Sequence, residues 1–569
     1  MKKYILPNEP DFNNFINKKF KKYEITKKKD SMKEYCLPKQ FKLQVQQKFL
    51  SEFINPNTPY KGLLMYHKIG AGKTCTAISI AEQWKDTHNI IILLPAALIG
   101  NFKDELRSSC GNYLTESERK KLSKLDMTSD EYINILEISN RRIEKFYNIY
   151  SYHIFVKMAA ENKISLKKTL LIIDEVQNMI SMSGTFYNTL YDIIMKAPQD
   201  LRVVLLSATP MFDKPQELAL TINLLRPEKP FIVNKFNDTF LKLKKVNEGY
   251  KYSVQNMTLL KEMLAGMISY YRGAPPYTFP EEKFKIIKCK MTDFQYKSYK
   301  TALALEDGNQ KGIFKNVDIL NLPKNFFLGS RMMSNVAYPN KSANHEGFLS
   351  FKGDNLKFLN LENYSTKFIK IIKKINKSEG PVFVYSNFKE YGGIKPFITV
   401  LEKHKWKNYK TFGVGEKRFA IWSGDESKQT KEEIKRIYNQ KENSDGSIIK
   451  LMIGSPSIKE GISLLRVEQV HIMEPYWNMS RMLQIIGRAV RFCSHKDVPV
   501  DKRNVSIYLY LATHPNEEKT IDEYIWKLAQ KKAKLISVFE KAMKEVAIDC
   551  TLFKNANVFN DEDNYQCEL

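Results

Sequence analysis

The sequence predicts an α/β chain with two parallel sheets in tandem, joined by a helical connector and followed by a helical C-terminal extension. Three observations carry that expectation. Leu63 to Thr76, LLMYHKIGAGKTCT, passes from an apolar strand through a glycine turn into the start of a helix. Further apolar segments, Thr169 to Ile173 and Arg202 to Leu206, each end in polar residues and are separated by helical stretches. This is the pattern of a parallel sheet whose ligand crevice lies at the strand ends. A second α/β pattern opens at Gly380.

Gly70 and Gly72 permit a tight turn that brings backbone N–H groups onto phosphate oxygens, and the helix opening at Lys73 adds its positive end. In such a loop Gly70, Ala71, Gly72, Lys73 and Thr74 bind the nucleotide, Lys73 reaching the β- and γ-phosphates and Thr74 holding Mg²⁺. The general pattern GxxxxGK[S/T] has glycine where this chain has His67. An ordinary strand–turn–helix corner with a surface lysine is the alternative.

At 569 residues the chain is too long for one core. Its net charge of +27 favours a polyanionic partner, most simply nucleic acid, although a general enrichment in Lys, Asn, Ile and Tyr raises lysine everywhere. The seven cysteines are scattered without a CxxC pair, which argues against a zinc ribbon or a disulfide framework and fits a reducing compartment. The longest apolar run, Ile90 to Ile99, is far below the roughly 20 residues that span a bilayer. No membrane partner is expected.

In chain order, residues 1–35 are expected as a basic N-terminal arm. Its stretch 17–30 holds seven lysines with Phe20 and Tyr23 between them, as a solvated tether or a contact for backbone phosphates. Residues 36–230 form the first, ATP-binding domain. Leu43, Phe49, Leu50 and Phe53 suit a helix, in which Gln47 is placed to pair with an adenine or to lie on the surface. The apolar strand after the loop helix stops at Pro95, and residues 104–150 read as mostly helical. Asp174 and Glu175 follow a buried strand, where Asp174 can hold Mg²⁺ and Glu175 can orient and deprotonate the attacking water. Ser207 and Thr209 lie where hydroxyls sense a γ-phosphate or simply make a turn.

Residues 231–365 read as a helical connector with insertions. There Tyr270, Tyr271 and Arg272 favour core packing over stacking on bases. Residues 366–515 form the second domain, with strands within 380–388, 419–424, 449–457, 468–477 and 504–512. It carries QIIGRAVR, in which Arg488 and Arg491, three apart, are expected on one helix face as paired guanidiniums for a γ-phosphate. Residues 516–569 form the C-terminal extension, expected to pack on the second sheet.

The ordered set GAGKT, DEVQ, SAT, GSPSIKEGIS and QIIGRAVR resembles the superfamily 2 helicases and translocases. More narrowly, HKIGAGKT, SATPMF, ISYYRG, QIIGRAVRFCSH and AIDC resemble proteins of nucleocytoplasmic large DNA viruses, of the poxvirus nucleoside triphosphate phosphohydrolase I and early transcription factor small subunit type. The resemblance implies two RecA-like domains and ATP with Mg²⁺. It adds Gln177, Gln484, Arg488 and Arg491 to the site and puts Gly461 near the ribose. Asn101, Phe102, Ser386 and Asn387 become candidate contacts for nucleic acid, DNA rather than RNA. The expected function is an ATP-dependent motor of viral-type cytoplasmic transcription, in the host cytoplasm or the virion, with a viral-type RNA polymerase as a possible partner. A non-catalytic nucleic-acid-binding subunit on a motor fold and an RNA helicase are the alternatives.

Overall fold

The computed structural model describes residues 4–7, 9–26, 31–37, 40–126, 129–180, 184–246, 249–307, 318–322, 325–459, 462–517, 519–559 and 565–568. Two compact units make up the chain. The first comprises Met1–Lys242, Tyr252–Pro275 and Leu535–Leu569, and the second Leu243–Lys251 and Pro276–Lys534.

The first unit is built on six parallel strands: β1 (Gly62–His67), β2 (Asn89–Leu94), β3 (Tyr147–Ser151), β4 (Thr169–Ile173), β5 (Arg202–Ser207) and, after a two-stranded sheet of β6 (Leu241–Val246) and β7 (Gly249–Val254), β8 (Ile268–Tyr271). Their order across the sheet is β3-β2-β4-β5-β1-β8. Leu64 of β1 lies between Leu205 of β5 and Ile268 of β8. All five residues of β4 are buried, as expected of a central strand covered on both faces. The phosphate-loop segment at the end of β1 and the acidic pair at the end of β4 therefore leave the sheet at the same edge.

The second unit carries seven parallel strands, β9 (Glu281–Lys290), β10 (Val382–Tyr385), β11 (Lys407–Asn408), β12 (Arg418–Trp422), β13 (Leu451–Gly454), β14 (Gln469–Ile472) and β15 (Asn504–Thr513), in the order β11-β12-β13-β10-β14-β15-β9. Val384 pairs with Ile453 on one side and His471 on the other. Phe383, Met452, Val470 and Ile507 fill one face and Val384, Ile453 and Tyr510 the other.

Several expectations are corrected. The basic arm is not a tether over its described part: Phe12, Ile16 and Phe20 are buried in the core of the first unit, because their spacing forms an apolar stripe among the lysines. Segment 231–365 is not merely a connector, since ISYY becomes β8 and KFKIIKCK lies in β9. Tyr270 and Tyr271 are buried, in keeping with core packing. The C-terminal extension is shared: Ile521 and Ile525 pack in the second unit, whereas Leu552 and Phe553 enter the core of the first. Cysteines pair despite the absence of CxxC spacing, because the fold brings Cys75 to Cys110 and Cys550 to Cys567, each pair with Cα atoms 5.6 Å apart and joined as a disulfide. Cys289 is a buried free thiol. Among the described residues no helix is long and apolar enough to cross a membrane.

Candidate active site

The phosphate loop of the first unit has the backbone its glycines allow. Gly70 and Gly72 have φ of 83° and 71°, and Gly72 caps the helix Lys73–Trp84. Substitution at Gly72 is strained by this left-handed conformation, and an added Cβ would lie 2.7 Å from Gln47 Nε2, so that side chain would have to shift. Gln47 is buried in the helix Val45–Phe53, and its Nε2 donates to the Gly72 carbonyl at 3.3 Å. Beside it, buried Gln46 donates from Nε2 to the Ala71 carbonyl at 3.3 Å. The pair holds the loop from behind; Gln46 escaped the sequence reading because nothing distinguishes it from a surface glutamine of an amphipathic helix.

Lys73 Nζ donates to the carbonyl of His67 at 3.1 Å, which curls the lysine back over its own loop. Thr74 follows in the first helical turn, half-buried. An N-terminal helical turn, positive-φ glycines and a lysine directed into the loop fit a polyphosphate, and Thr74 with Asp174 offers the oxygen donors that Mg²⁺ takes.

Asp174 is buried directly after β4, and its Oδ1 accepts from the Glu175 amide at 2.9 Å. Burial, and then the neighbouring Glu175 charge, push its carboxyl well above the usual range, while Lys73 pulls it the other way. That opposing pull places the lysine and the carboxylate in one electrostatic site. Glu175 itself is left-handed, with φ of 51°, unusual for a residue with a side chain. Tyr152, at the start of the helix Tyr152–Ala160, donates its hydroxyl to the carbonyls of Asp174 and, at 3.1 Å, of Glu175, so it steadies this bend. No motif flags Tyr152; it reads as one more aromatic in an apolar helix.

Gln177 links two motifs. Its Nε2 donates to Glu175 Oε2, and its Oε1 accepts from Ser207 Oγ at 2.7 Å. Ser207 in turn accepts from the amide of Thr209 at 3.0 Å. The carboxylate expected to handle water is thus tied through two buried side chains to the end of β5.

In the second unit Gln484 lies half-buried in the helix Met479–Ile486. The helix stops there, so Arg488 and Arg491 are not on one helix face as expected: Gly487 begins a turn, and both arginines follow it. They nevertheless converge. Arg488 Nη1 and Arg491 Nη1 donate to the same Ile462 carbonyl at 3.2 and 3.3 Å, and Arg491 also donates to Ser463 Oγ. Gly461 lies outside the described residues.

The nucleic-acid candidates separate by burial. Asn101 is exposed and Asn387 half-buried. Phe102 is a core residue, and Ser386 is fully buried, donating to Glu474, so neither offers a surface contact; each sits on the inward side of its element.

A model of the SNF2-related domain matches residues 32–347, and one of the helicase conserved C-terminal domain matches residues 366–493. The chain belongs to the superfamily 2 helicases. It is an ATP-dependent helicase or ATPase of the kind found in nucleocytoplasmic large DNA viruses. A protein of Acanthamoeba polyphaga mimivirus, named as a candidate ATP-dependent RNA helicase, is 51% identical over 99% of each chain. A second mimivirus protein so named is 28% identical, covering 97% of this chain and 79% of its own. The African swine fever virus termination factor NPH-I homolog is 28% identical, covering 86% of this chain and 76% of its own.

Proposed function

We propose that this helicase is a nucleic-acid-stimulated ATPase motor that translocates along DNA in viral-type transcription, in the host cytoplasm or the virion. The observation that carries the reading is the chain Glu175–Gln177–Ser207, which ties the residue suited to water activation to a second motif of the same sheet edge. Lys73 binds the β- and γ-phosphates, the loop residues Gly70 to Thr74 cradle the nucleotide with Gln47 bracing them from behind, and Thr74 and Asp174 hold Mg²⁺. Bound magnesium neutralises charge on the phosphate oxygens. Glu175 takes the proton of the attacking water, positioned by Gln177. As the family resemblance implies, Gln484, Arg488 and Arg491 supply polar and positive groups to the charge that develops on the transferred phosphoryl group, and Gly461 is assigned to nucleotide binding.

The net charge of +27 and the likeness to a named termination factor support a DNA track and a viral-type RNA polymerase as partner. A second reading, an RNA helicase, is favoured by the name of the 51% identical relative. ATP turnover with duplex DNA, single-stranded DNA and RNA across a salt series tests both. Stimulation by DNA, with affinity falling linearly in log salt, is expected; stimulation by RNA alone overturns the DNA reading.

A further inference from the structure

Three polar side chains from distant parts of the chain form a continuous buried line behind the phosphate loop: His67 at the end of β1, Ser269 in β8, and Asp549 in the C-terminal segment, all with no solvent exposure. Ser269 Oγ donates to Asp549 Oδ2, and Asp549 Oδ1 accepts from the Tyr270 amide at 2.9 Å. The single Ser269 proton being used, its oxygen accepts from His67 Nε2, 2.8 Å away. That arrangement makes His67 the neutral tautomer protonated at Nε2, and burial beside Lys73 keeps the ring neutral by pushing its pKa down to about 3. The main chain of the same histidine presents the carbonyl on which Lys73 Nζ rests at 3.1 Å.

The surrounding backbone reinforces the line. The Lys68 amide donates to the Tyr271 carbonyl at 3.0 Å, so β8 supports the chain as it enters the loop. Gly273, just past β8, has φ of 103° and stands so close that an added Cβ would lie 3.3 Å from the Ile69 carbonyl and 3.4 Å from the Ala71 amide. Behind β8, the Ile548 amide donates to Ile268, and Asn557 bridges the Tyr270 carbonyl and the Arg272 amide at 3.0 and 2.8 Å. Core packing alone would be served by apolar side chains at positions 67, 269 and 549. Burying three polar groups is costly, the more so because His67 Nδ1 has no hydrogen-bond partner among the described residues, and directional bonds fix a register that packing does not.

We propose that Asp549 and Ser269 are positioning residues for ATP hydrolysis: through His67 they set the carbonyl that holds Lys73, making residues 548–557 the rear support of the phosphate loop. This rests on the reading that Lys73 binds the nucleotide phosphates. It also accounts for a histidine at the position where the general loop pattern has glycine.

The test uses the full chain and compares ATP kcat and KM, and thermal unfolding without nucleotide, for Ser269→Ala, Ser269→Thr, His67→Leu and His67→Gln. Glutamine places an amide nitrogen near the position of Nε2. Ser269→Ala and His67→Leu should raise KM for ATP about tenfold or more and lower kcat, since misplacing a catalytic group by about 1 Å can cost 10²-fold. Ser269→Thr and His67→Gln should regain most of that loss, with unfolding temperatures alike within each pair. Wild-type kinetics in Ser269→Ala and His67→Leu, or equal losses within each pair, would overturn the proposal; if Ser269→Ala does not fold, the His67 pair alone decides. Lys73→Ala, measured in parallel, separates the two readings. Wild-type turnover in that variant removes the role of Lys73 itself, whereas its inactivity alongside a normal Ser269→Ala removes only this inference.

Discussion

The Ser207 hydroxyl donates to Gln177 Oε1 at 2.7 Å, and neither side chain is open to water. One end of the amide is thereby fixed, which leaves Nε2 for Glu175. Ser207→Ala leaves a buried acceptor unpaired, a cost of about 1–3 kcal/mol. We expect a modest fall in unfolding temperature and a drop in kcat of about tenfold or more, with KM for ATP changed little, because the water-activating side loses its brace while the loop does not. Steady-state kinetics with a thermal melt would check this; a KM effect without a kcat effect would contradict it.

Lys367 and Asp522 form an ion pair at 2.5 Å with essentially no exposure, completed by Asn335 Oδ1 at 2.8 Å from the ammonium and by the Ala512 amide at 2.8 Å from the carboxylate. Removing one partner strands a buried charge. Lys367→Met should therefore destabilise the protein by about 3–5 kcal/mol, measured by denaturant unfolding. A loss below about 1 kcal/mol would mean the pair is solvated, as exposed pairs are.

Asp549 gives a pH signature. Burial raises its carboxyl from 3.8 to about 7, with the Ser269 and Tyr270 bonds opposing. Because the folded value lies above the unfolded one, the favourable contribution of the protonated acid is complete below about 4. It is lost as pH rises to about 7 and then levels off. Asp549→Asn does not titrate, so the stability of the wild type relative to this variant should fall between about pH 4 and 7. A difference independent of pH over that window would show an unshifted carboxyl.

Much of this was legible in the sequence, for physical reasons. Strands such as β2, β4 and β5 announce themselves because burial on both faces demands continuous apolar runs, and the phosphate loop because only glycine serves its turn. β8 was hidden because ISYY is four residues long and lies among aromatics and prolines that read as a connector. β9 was hidden because an edge strand need not be apolar, and seven of its first eight residues are exposed and the other half-buried in a lysine-rich segment. Arg488 and Arg491 were recognised, but not the helix end at Ile486 that lets them meet on one carbonyl. Among the supports of the loop, Gln46 and Tyr152 carry no local pattern, and Ser269 and Asp549 lie in the motifs ISYYRG and AIDC, whose letters do not disclose that the two meet; their roles arise from contacts between residues far apart in the chain.

The central claim is that a phosphate-loop ATPase in the first unit depends on the arginine pair of the second. The most direct test is ATP turnover by the wild type and Arg491→Ala, each with and without nucleic acid, alongside nucleotide binding. The account predicts hydrolysis stimulated by nucleic acid in the wild type and a loss on the order of 10³-fold in the variant, with ATP still bound. Turnover by Arg491→Ala at the wild-type rate would contradict it.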